Sequence, residues 1–435
     1  MTEITVINKG VKYPFNYILR GVLQMKLSGL YRLSPKERVK AIEQALPHLP
    51  QLSDCMLEET IGDAMIENYI GQYALPLGIA TNFIIDGQTY AIPMAIEEPS
   101  VIAAASNGAK RIGNIETSAQ PRELIGQMVF ECESDSAMIV LQLEEIVPEL
   151  LEQAKALSPS MVARGGGPTR IWFDCKEEFI VCYLGFNPCD AMGANVINHI
   201  LEGLSPMIES HSDAIALMRI LSNYQPDSVV TAICRVPIHT LHDDLEKAQL
   251  LAKRIASASR YAQLDPYRAT THNKGIVNGI DAVLLATGND WRAVESGVHA
   301  YASRTGHYQP LTIWTVEDDY LVGKIQLPLA VATVGGTLSV HPTAQWALEL
   351  LGRPTAERLS RIIAAVGLAQ NFAALRAIVS EGIQKGHMGL HARQLAIQAG
   401  ATEHEQRELV AKLKAAPAMS HSIAKELLEQ MRATK

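Results

Sequence analysis

Apolar and polar positions change rhythm several times along the chain, and each change predicts a different kind of element. Ser34-Pro35-Lys36-Glu37 opens the first clear helix. Ser34 suits the cap, Pro35 the first helical position, and Glu37 can close a capping box. Helices are expected to follow to about residue 70. ALPLGIATNFIIDGQTYAIPMA then alternates as two short strands around an Asp86-Gly87 turn. Glu98 and Pro99 lead into an alanine-rich helix whose small side chains permit close backbone packing. From about 123 to 227 the texture changes. QMVFEC, AMIVLQL, TRIWFDC and FIVCYLGF look like strands, ELLEQAKAL and ANVINHILEGLSPMIE like helices, which together suit a compact α+β insertion. Longer helices and mixed strands return after about 228, including TIWTVEDDYLVGKIQLPLAVATVGGTL. The tail from about 380 is helical and polar, short enough to move as a unit. Within residues 271–292, Ile276, Ile280, Val283 and Leu284 recur at helical spacing. They predict a buried helix with Lys274 and Asp290 at its two ends. Those charges are either the wet ends of a helix or groups placed for chemistry.

A chain of 435 residues is too long for one simple core, so two or three domains are expected. Apolar residues at 48% and charged residues at 19% suit a well-packed soluble protein. A net charge of −8 without any basic run argues against general nucleic-acid binding, and at 6% aromatics a base-stacking platform is not expected. Cys55, Cys132, Cys175, Cys182, Cys189 and Cys234 form no CxxC pair and no ligand-like spacing, so all six are expected to be reduced core residues. The first residues show no signal-peptide pattern, and no stretch reaches the roughly 18 apolar residues of a membrane span. A cytoplasmic, soluble protein without a membrane partner is the expectation.

Several short motifs carry candidate chemistry. Gly165-Gly166-Gly167 is a turn rather than a dinucleotide fingerprint, because no GxGxxG follows a strand. In DAMGAN, residues 190–195, Asp190 can cap a helix whose first turn holds a glycine. Such an N-terminus offers free N–H groups and a positive dipole end to a phosphate, or is simply a capped helix. His387 and His391 lie four apart on a predicted helix, but no third ligand accompanies them. No metal is therefore expected, and a titrating histidine on the tail is better suited to donating a proton. Glu98, if buried, could deliver a proton near neutral pH; on the surface it would only sit near a helix dipole.

These pieces occur in one order. MIENYIGQYALPLGIATNF, PMAIEEPSVIAAASNGAK, DAMGANVINHILEG, ATTHNKGIVNGIDAVLLATGNDWRAVE and KGHMGLHARQLA together resemble the class II, bacterial-type hydroxymethylglutaryl-coenzyme A (HMG-CoA) reductases over essentially the whole chain. The resemblance implies reduction of HMG-CoA to mevalonate by two nicotinamide hydrides, with release of coenzyme A. It implies catalytic roles for Glu98, Lys274, Asp290 and His387. It places Ser100 and Arg268 at the substrate's free carboxylate and hydroxyl end, with Asn278 near the reacting group. Asp190, Met192, Gly193 and Asn195 would hold the dinucleotide.

The chemistry asks for these residue types. Hydride addition to a thioester builds negative charge on oxygen, which an ammonium stabilises best in dry surroundings. A departing thiolate needs a proton to prevent its return, and a guanidinium binds a carboxylate with two parallel bonds. The resemblance also implies an α+β fold. A large mixed helix and sheet domain, 1–122 and 228–379, would be interrupted by a small ferredoxin-like nucleotide-binding domain, 123–227. A helical C-terminal flap, 380–435, would close over the substrate.

One straight helix from 274 to 290 would hold Lys274 and Asp290 about 24 Å apart. Either the helix ends fold back, or residues from two subunits meet. The second agrees with the resemblance, which implies a homodimer or higher even oligomer with ENxxG, Glu67 to Gly71, near the interface. The loop before Gly165 reads ALSPSMVAR, with Ser158 where NAD-using members carry an aspartate. NADPH is therefore favoured over NADH, with Ser158 and Arg164 beside the 2′-phosphate. Two other readings stand beside this one: the same enzyme run oxidatively on mevalonate, and a non-catalytic sensor of coenzyme A esters.

Overall fold

A computed structural model describes residues 30–52, 56–380 and 383–433, the side chains of Tyr31 and of residues 383–390 excepted. Among these residues ten strands form two sheets. They are β1 Leu77–Ile85, β2 Gln88–Ala95, β3 Asn114–Ala119, β4 Leu124–Glu131, β5 Gly167–Lys176, β6 Phe179–Asn187, β7 Ile215–Ser222, β8 Val229–Pro237, β9 Thr312–Glu317 and β10 Tyr320–Pro328. The helices are α1 Pro35–Ala45, α2 Glu59–Met65, α3 Val101–Ile112, α4 Ser136–Glu145, α5 Val147–Ala156, α6 Pro159–Val162, α7 Ala194–Ser210 and α8 Leu245–Ala262. They continue with α9 Pro266–Ala286, α10 Trp291–Ala302, α11 Pro342–Leu350, α12 Ala356–Val379, α13 Ile383–Gln398, α14 Glu403–Ala415 and α15 His421–Ala433.

Local sequence explains the first elements. Ser34 caps α1, Pro35 takes its first turn, and Glu37 accepts from the Ser34 N–H at 2.7 Å, the expected capping box. Asp86 and Gly87 turn β1 into β2 with φ of 52° and 77°, a conformation that aspartate tolerates and glycine adopts freely. The Asp86 carboxylate accepts from the Thr117 N–H at 2.7 Å and binds Arg358 and Arg361 of α12, so the hairpin is riveted to the helix.

The larger sheet has the order β2-β1-β3-β8-β10-β9, with β1 and β3 parallel and the other pairs antiparallel. Helices α3, α9 and α12 pack on it in one continuous hydrophobic core. The contact between α3 and α12 needs Gly108: a Cβ there would lie 2.2 Å from the Ala369 carbonyl oxygen. By length and hydropathy α12 could cross a membrane, which departs from the sequence expectation. Two-thirds of its apolar window is buried inside the protein, and Gln370 and Asn371 sit in its buried face. The helix reads as the central core helix of the larger sheet.

The chain leaves this sheet after β3 and returns at β8, its antiparallel neighbour. Between them, β4, α4–α6, β5, β6, α7 and β7 run in a βαββαβ order with the sheet order β5-β6-β4-β7, the ferredoxin-like arrangement. This sheet has its own core under α4, α5 and α7. Its other face carries Trp172 stacked on Tyr183 at 5.0 Å, with Arg170 over the indole. One expected strand is a helix. AMIVLQL belongs to α4, capped by Asp135, whose carboxylate accepts from the Ala137 N–H at 3.0 Å. Ile139 and Leu143, four apart, are buried, whereas Met138 and Leu141 are exposed. A short run that is apolar on every side does not reveal its period.

The cysteine expectation also changes. Cys182 and Cys234 are buried thiols, whereas Cys132, Cys175 and Cys189 are half-buried. All five are free, and Cys55 lies outside the described residues. The last three helices share a separate small core around Leu395, Leu409 and Leu428.

Candidate active site

Helix α9 is the backbone of the site. Asp265 caps it, accepting from the Arg268 N–H at 2.7 Å, and Pro266 occupies its first turn. Ile276, Ile280, Val283 and Leu284 are buried as their spacing predicted. The two charges do not mark its ends, however. Lys274 lies in the third turn of a helix that begins eight residues earlier. Asp290 lies beyond the Thr287-Gly288-Asn289 turn and caps α10, accepting from the Arg292 and Ala293 N–H groups at 3.1 Å each.

Lys274 projects from α9 toward the loop before α3, where its Nζ pairs with Glu98 Oε2 at 2.6 Å. Both side chains keep solvent access. That loop is strained: Ser100, the residue before α3, has φ of 73°, and its hydroxyl makes no hydrogen bond among the described residues. A non-glycine residue held in this region costs of order 1 kcal/mol and is most often found at functional sites. One turn beyond Lys274, Asn278 is half-buried with no side-chain partner among the described residues. Near the start of the helix, Arg268 is half-buried and has no carboxylate partner among them; burial lowers its pKa. Ammonium, carboxylate, amide and guanidinium are thus assembled on one helix and one adjoining loop, and two of the four are uncommitted.

Beneath them lies a polar network that sequence reasoning missed. His272 is buried, with Nε2 2.5 Å from Thr312 Oγ1 and 3.1 Å from Asn371 Nδ2. The Trp314 indole N–H donates to Asn371 Oδ1 at 2.8 Å, which fixes the amide's orientation. Burial, and then the Arg268 charge, pull His272 down to about 3, so it is neutral beneath the guanidinium. Asp281 continues the stripe of Lys274 and Asn278; burial, and then Glu295 of α10, push it up to about 8. Nothing in the spacing of HNKG or NGID signalled either role.

Asp290 pairs with Arg292 at 3.2 Å, and no ion pair links it to Lys274 within this chain. His387 belongs to α13, but its side chain lies outside the described residues. The ENxxG segment, Glu67 to Gly71, precedes β1 without regular structure, and Ile70 and Tyr73 are almost fully exposed.

The DAMGAN segment departs from its expected geometry. Gly193, with φ of 82°, occupies the cap position of α7, and no side chain caps the helix. Asp190 faces the other way: its carboxylate accepts from the Ala356 N–H of α12 at 2.7 Å. Its carbonyl accepts from the Thr333 N–H at 2.9 Å. The first-turn N–H groups of α7 are therefore left without a capping side chain, as an anion site requires. Met192 packs against the core of the larger sheet. Asn195 is in the first turn of α7.

Beside Asp190 opens a cavity of ≈ 400 Å³, lined by Thr333, Val334, Gly335, Ser339 and Thr355 among others. The Gly335-Gly336 pair, both with positive φ, marks this loop. In sequence these glycines end a stretch that reads as mixed strand; in the structure they form a loop. Ser158 does not sit where a ligand could use it. It is 3% exposed, and its hydroxyl donates to the Ala154 carbonyl at 3.0 Å. Arg164, three residues before β5, is exposed, and its carbonyl lies beside Cys189 Sγ.

A sequence model of hydroxymethylglutaryl-coenzyme A reductase matches residues 34–392. The chain belongs to the HMG-CoA reductase family. A reductase of Archaeoglobus fulgidus is 40% identical over 426 residues, covering 95% of this chain and 96% of that one. A probable reductase of Borreliella burgdorferi is 35% identical, covering 85% and 86%. Among solved structures, the HMG-CoA reductase of Streptococcus pneumoniae superposes with a TM-score of 0.80 at 42% identity, covering 94% of this chain and all of that one. A second structure of that class II enzyme, bound to NADPH in open conformations, gives a TM-score of 0.78 at 42% identity.

Proposed function

We propose that the protein reduces HMG-CoA to mevalonate and free coenzyme A. The observation that carries this reading is the Lys274–Glu98 pair, 2.6 Å apart, flanked by the uncommitted Arg268 and Asn278. Lys274 stabilises the oxyanion that develops on the thioester carbonyl, and Glu98, as the carboxylic acid, supplies the proton for the final alcohol and is left as the carboxylate that pairs with the ammonium. Arg268 takes the free carboxylate with its forked donors, Ser100 the neighbouring hydroxyl, and Asn278 the reacting end. His387 protonates the departing thiolate of coenzyme A. Residues 380–435 form a flap that brings it late and excludes water.

A nicotinamide dinucleotide fits the uncapped N-terminus of α7. Residues 190–195 and the adjoining cavity would hold it, and it supplies the hydrides. The domain division follows from this reading: 1–122 with 228–379 for the acyl substrate and dimerisation, and 123–227 for the nucleotide. NADPH is favoured over NADH. The support is now the exposed Arg164 and the lack of any acidic residue from 153 to 164, not the buried Ser158. Arg164→Glu is expected to lower kcat/KM for NADPH relative to NADH; an unchanged ratio would move the determinant elsewhere.

The active unit is a homodimer or a higher even oligomer with sites at the subunit interface. Lys274 and Asp290 are committed to different partners within one chain, and the exposed Ile70 and Tyr73 offer an apolar arm to a second copy. Asp290 of a second subunit would then complete the site. Two variants test the division of labour. Lys274→Ala is expected to abolish the first reduction, a loss of about a hundred- to thousand-fold. His387→Gln is expected to stop HMG-CoA turnover while free mevaldehyde is still reduced. Equal loss of mevaldehyde reduction in both variants would overturn the assignment.

A further inference from the structure

The crossing between the two sheets holds an arginine that no motif drew attention to. Residues 120–123 carry the chain out from β3 to β4, and residues 223–228 carry it back to β8. The two passages are stitched together. The Glu123 N–H donates to Ser228 Oγ at 2.9 Å, the Ser228 hydroxyl donates to the Glu123 carbonyl at 2.7 Å, and the Gln120 N–H donates to the Val229 carbonyl at 2.9 Å. Arg122 stands in this crossing. Its guanidinium spans the DAMGAN turn, with Nη1 donating to the Cys189 carbonyl and Nη2 donating to the Ala191 carbonyl at 3.2 Å.

The intervening carbonyl, that of Asp190, is taken by the Thr333 N–H at 2.9 Å. Three successive carbonyl oxygens are thus drawn to donors outside the smaller sheet. Cys189 adopts φ of 53° to make this possible, a conformation that a side chain other than glycine takes only when held. The consequence falls on the residues that follow. Carbonyl oxygens near a phosphate repel it, whereas N–H groups attract it. Fixing the oxygens of 189–191 on one side leaves Gly193 and the first turn of α7 to present donors on the other. Among the described residues no carboxylate oxygen lies within hydrogen-bonding distance of Arg122; its hydrogen bonds go to carbonyls, and the Asp190 carboxylate of the same turn stabilises its charge from farther off.

We infer that Arg122 is a positioning residue for the dinucleotide: it holds the 189–191 turn so that the N-terminus of α7 receives the pyrophosphate, and it couples that loop to the crossing between the sheets. The inference rests on the cofactor reading given above. A lysine at 122 keeps the charge but cannot span two carbonyls, so it separates geometry from charge.

The test measures NADPH and HMG-CoA affinities separately, by calorimetric titration, for wild type, Arg122→Lys, Arg122→Ala and Asn195→Ala, with thermal unfolding of each. Both Arg122 variants are expected to weaken NADPH binding about tenfold or more while HMG-CoA affinity stays within about threefold. Guanidinium ion at millimolar concentration is expected to restore NADPH affinity to Arg122→Ala and not to Asn195→Ala. Full NADPH affinity in Arg122→Lys overturns the geometric role. Parallel loss of both affinities with a lowered unfolding temperature, unrelieved by guanidinium, reduces Arg122 to a structural strap and also overturns it. If Asn195→Ala leaves NADPH binding intact, the loop is not the cofactor site, and the failure belongs to that reading instead.

Discussion

Replacing Arg268 by methionine separates binding from folding. The guanidinium is half-buried, and burial lowers its pKa without a carboxylate among the described residues to compensate. An uncompensated, partly desolvated charge does not stabilise the fold, so its removal is expected to leave the urea midpoint unchanged or slightly raised. Substrate reverses the balance. Two parallel charge-assisted hydrogen bonds to a carboxylate contribute about 1.5 kcal/mol each when solvent access is retained. Their loss, about 3 kcal/mol, corresponds to roughly a 150-fold weaker hold on HMG-CoA. Arg268→Lys, which keeps the charge but loses the fork, is expected to lie between, near tenfold. Calorimetric Kd and steady-state KM for HMG-CoA, set beside urea unfolding without ligand, give both halves. An HMG-CoA Kd within about threefold of wild type, or a clear fall in the urea midpoint, would show that Arg268 serves the fold and not the substrate.

Shared sites predict complementation: Asn195→Ala and Arg268→Ala, each inactive alone, are expected to recover part of the activity after subunit exchange, and no recovery after verified exchange counts against a site made by two subunits. Asp281 predicts a pH dependence of stability. Its folded pKa is raised from 3.8 to about 8, so between those values the unfolded chain has lost a proton that the folded chain keeps. Stability from this group therefore falls as pH rises from about 4 to about 8, and is level above that. After allowance for its partial exposure, Asp281→Asn is expected to stabilise by about 1–2 kcal/mol at pH 8 and by little at pH 4.5. Urea unfolding at the two values, with an equal effect at both, would contradict the burial argument.

Local chemistry was legible wherever a short-range rule decides the structure. The capping box at Ser34, the Asp86-Gly87 turn and the apolar stripe of α9 each follow from contacts within a few residues. The motif order identified the family. Misreadings arose where distant partners decide. Asp190 is chemically a good helix cap, yet it serves α12 because Ala356 comes within 2.7 Å, and Gly193 takes the cap of α7. Ser158 had the right count from the glycines, but its hydroxyl turned inward to Ala154. AMIVLQL lacked a period because Met138 and Leu141 put apolar residues on the exposed side of α4 as well. The two charges bracketing residues 274–290 suggested helix ends. The helix instead starts at Pro266, where proline and the Asp265 cap give the true signal. Arg122, His272 and Asp281 had no sequence signature at all, since each acquires its environment from segments far away in the chain.

The central claim is a four-electron reduction at one site, and hydride stoichiometry tests it most directly. HMG-CoA in limiting amount, excess NADPH, absorbance at 340 nm and a thiol reagent in parallel measure the ratio of hydride consumed to coenzyme A released. The account predicts two NADPH oxidised per thiol liberated, with mevalonate equal to thiol as the only acyl product. One NADPH per thiol with aldehyde as the end product, or no oxidation of NADPH at all, would contradict it.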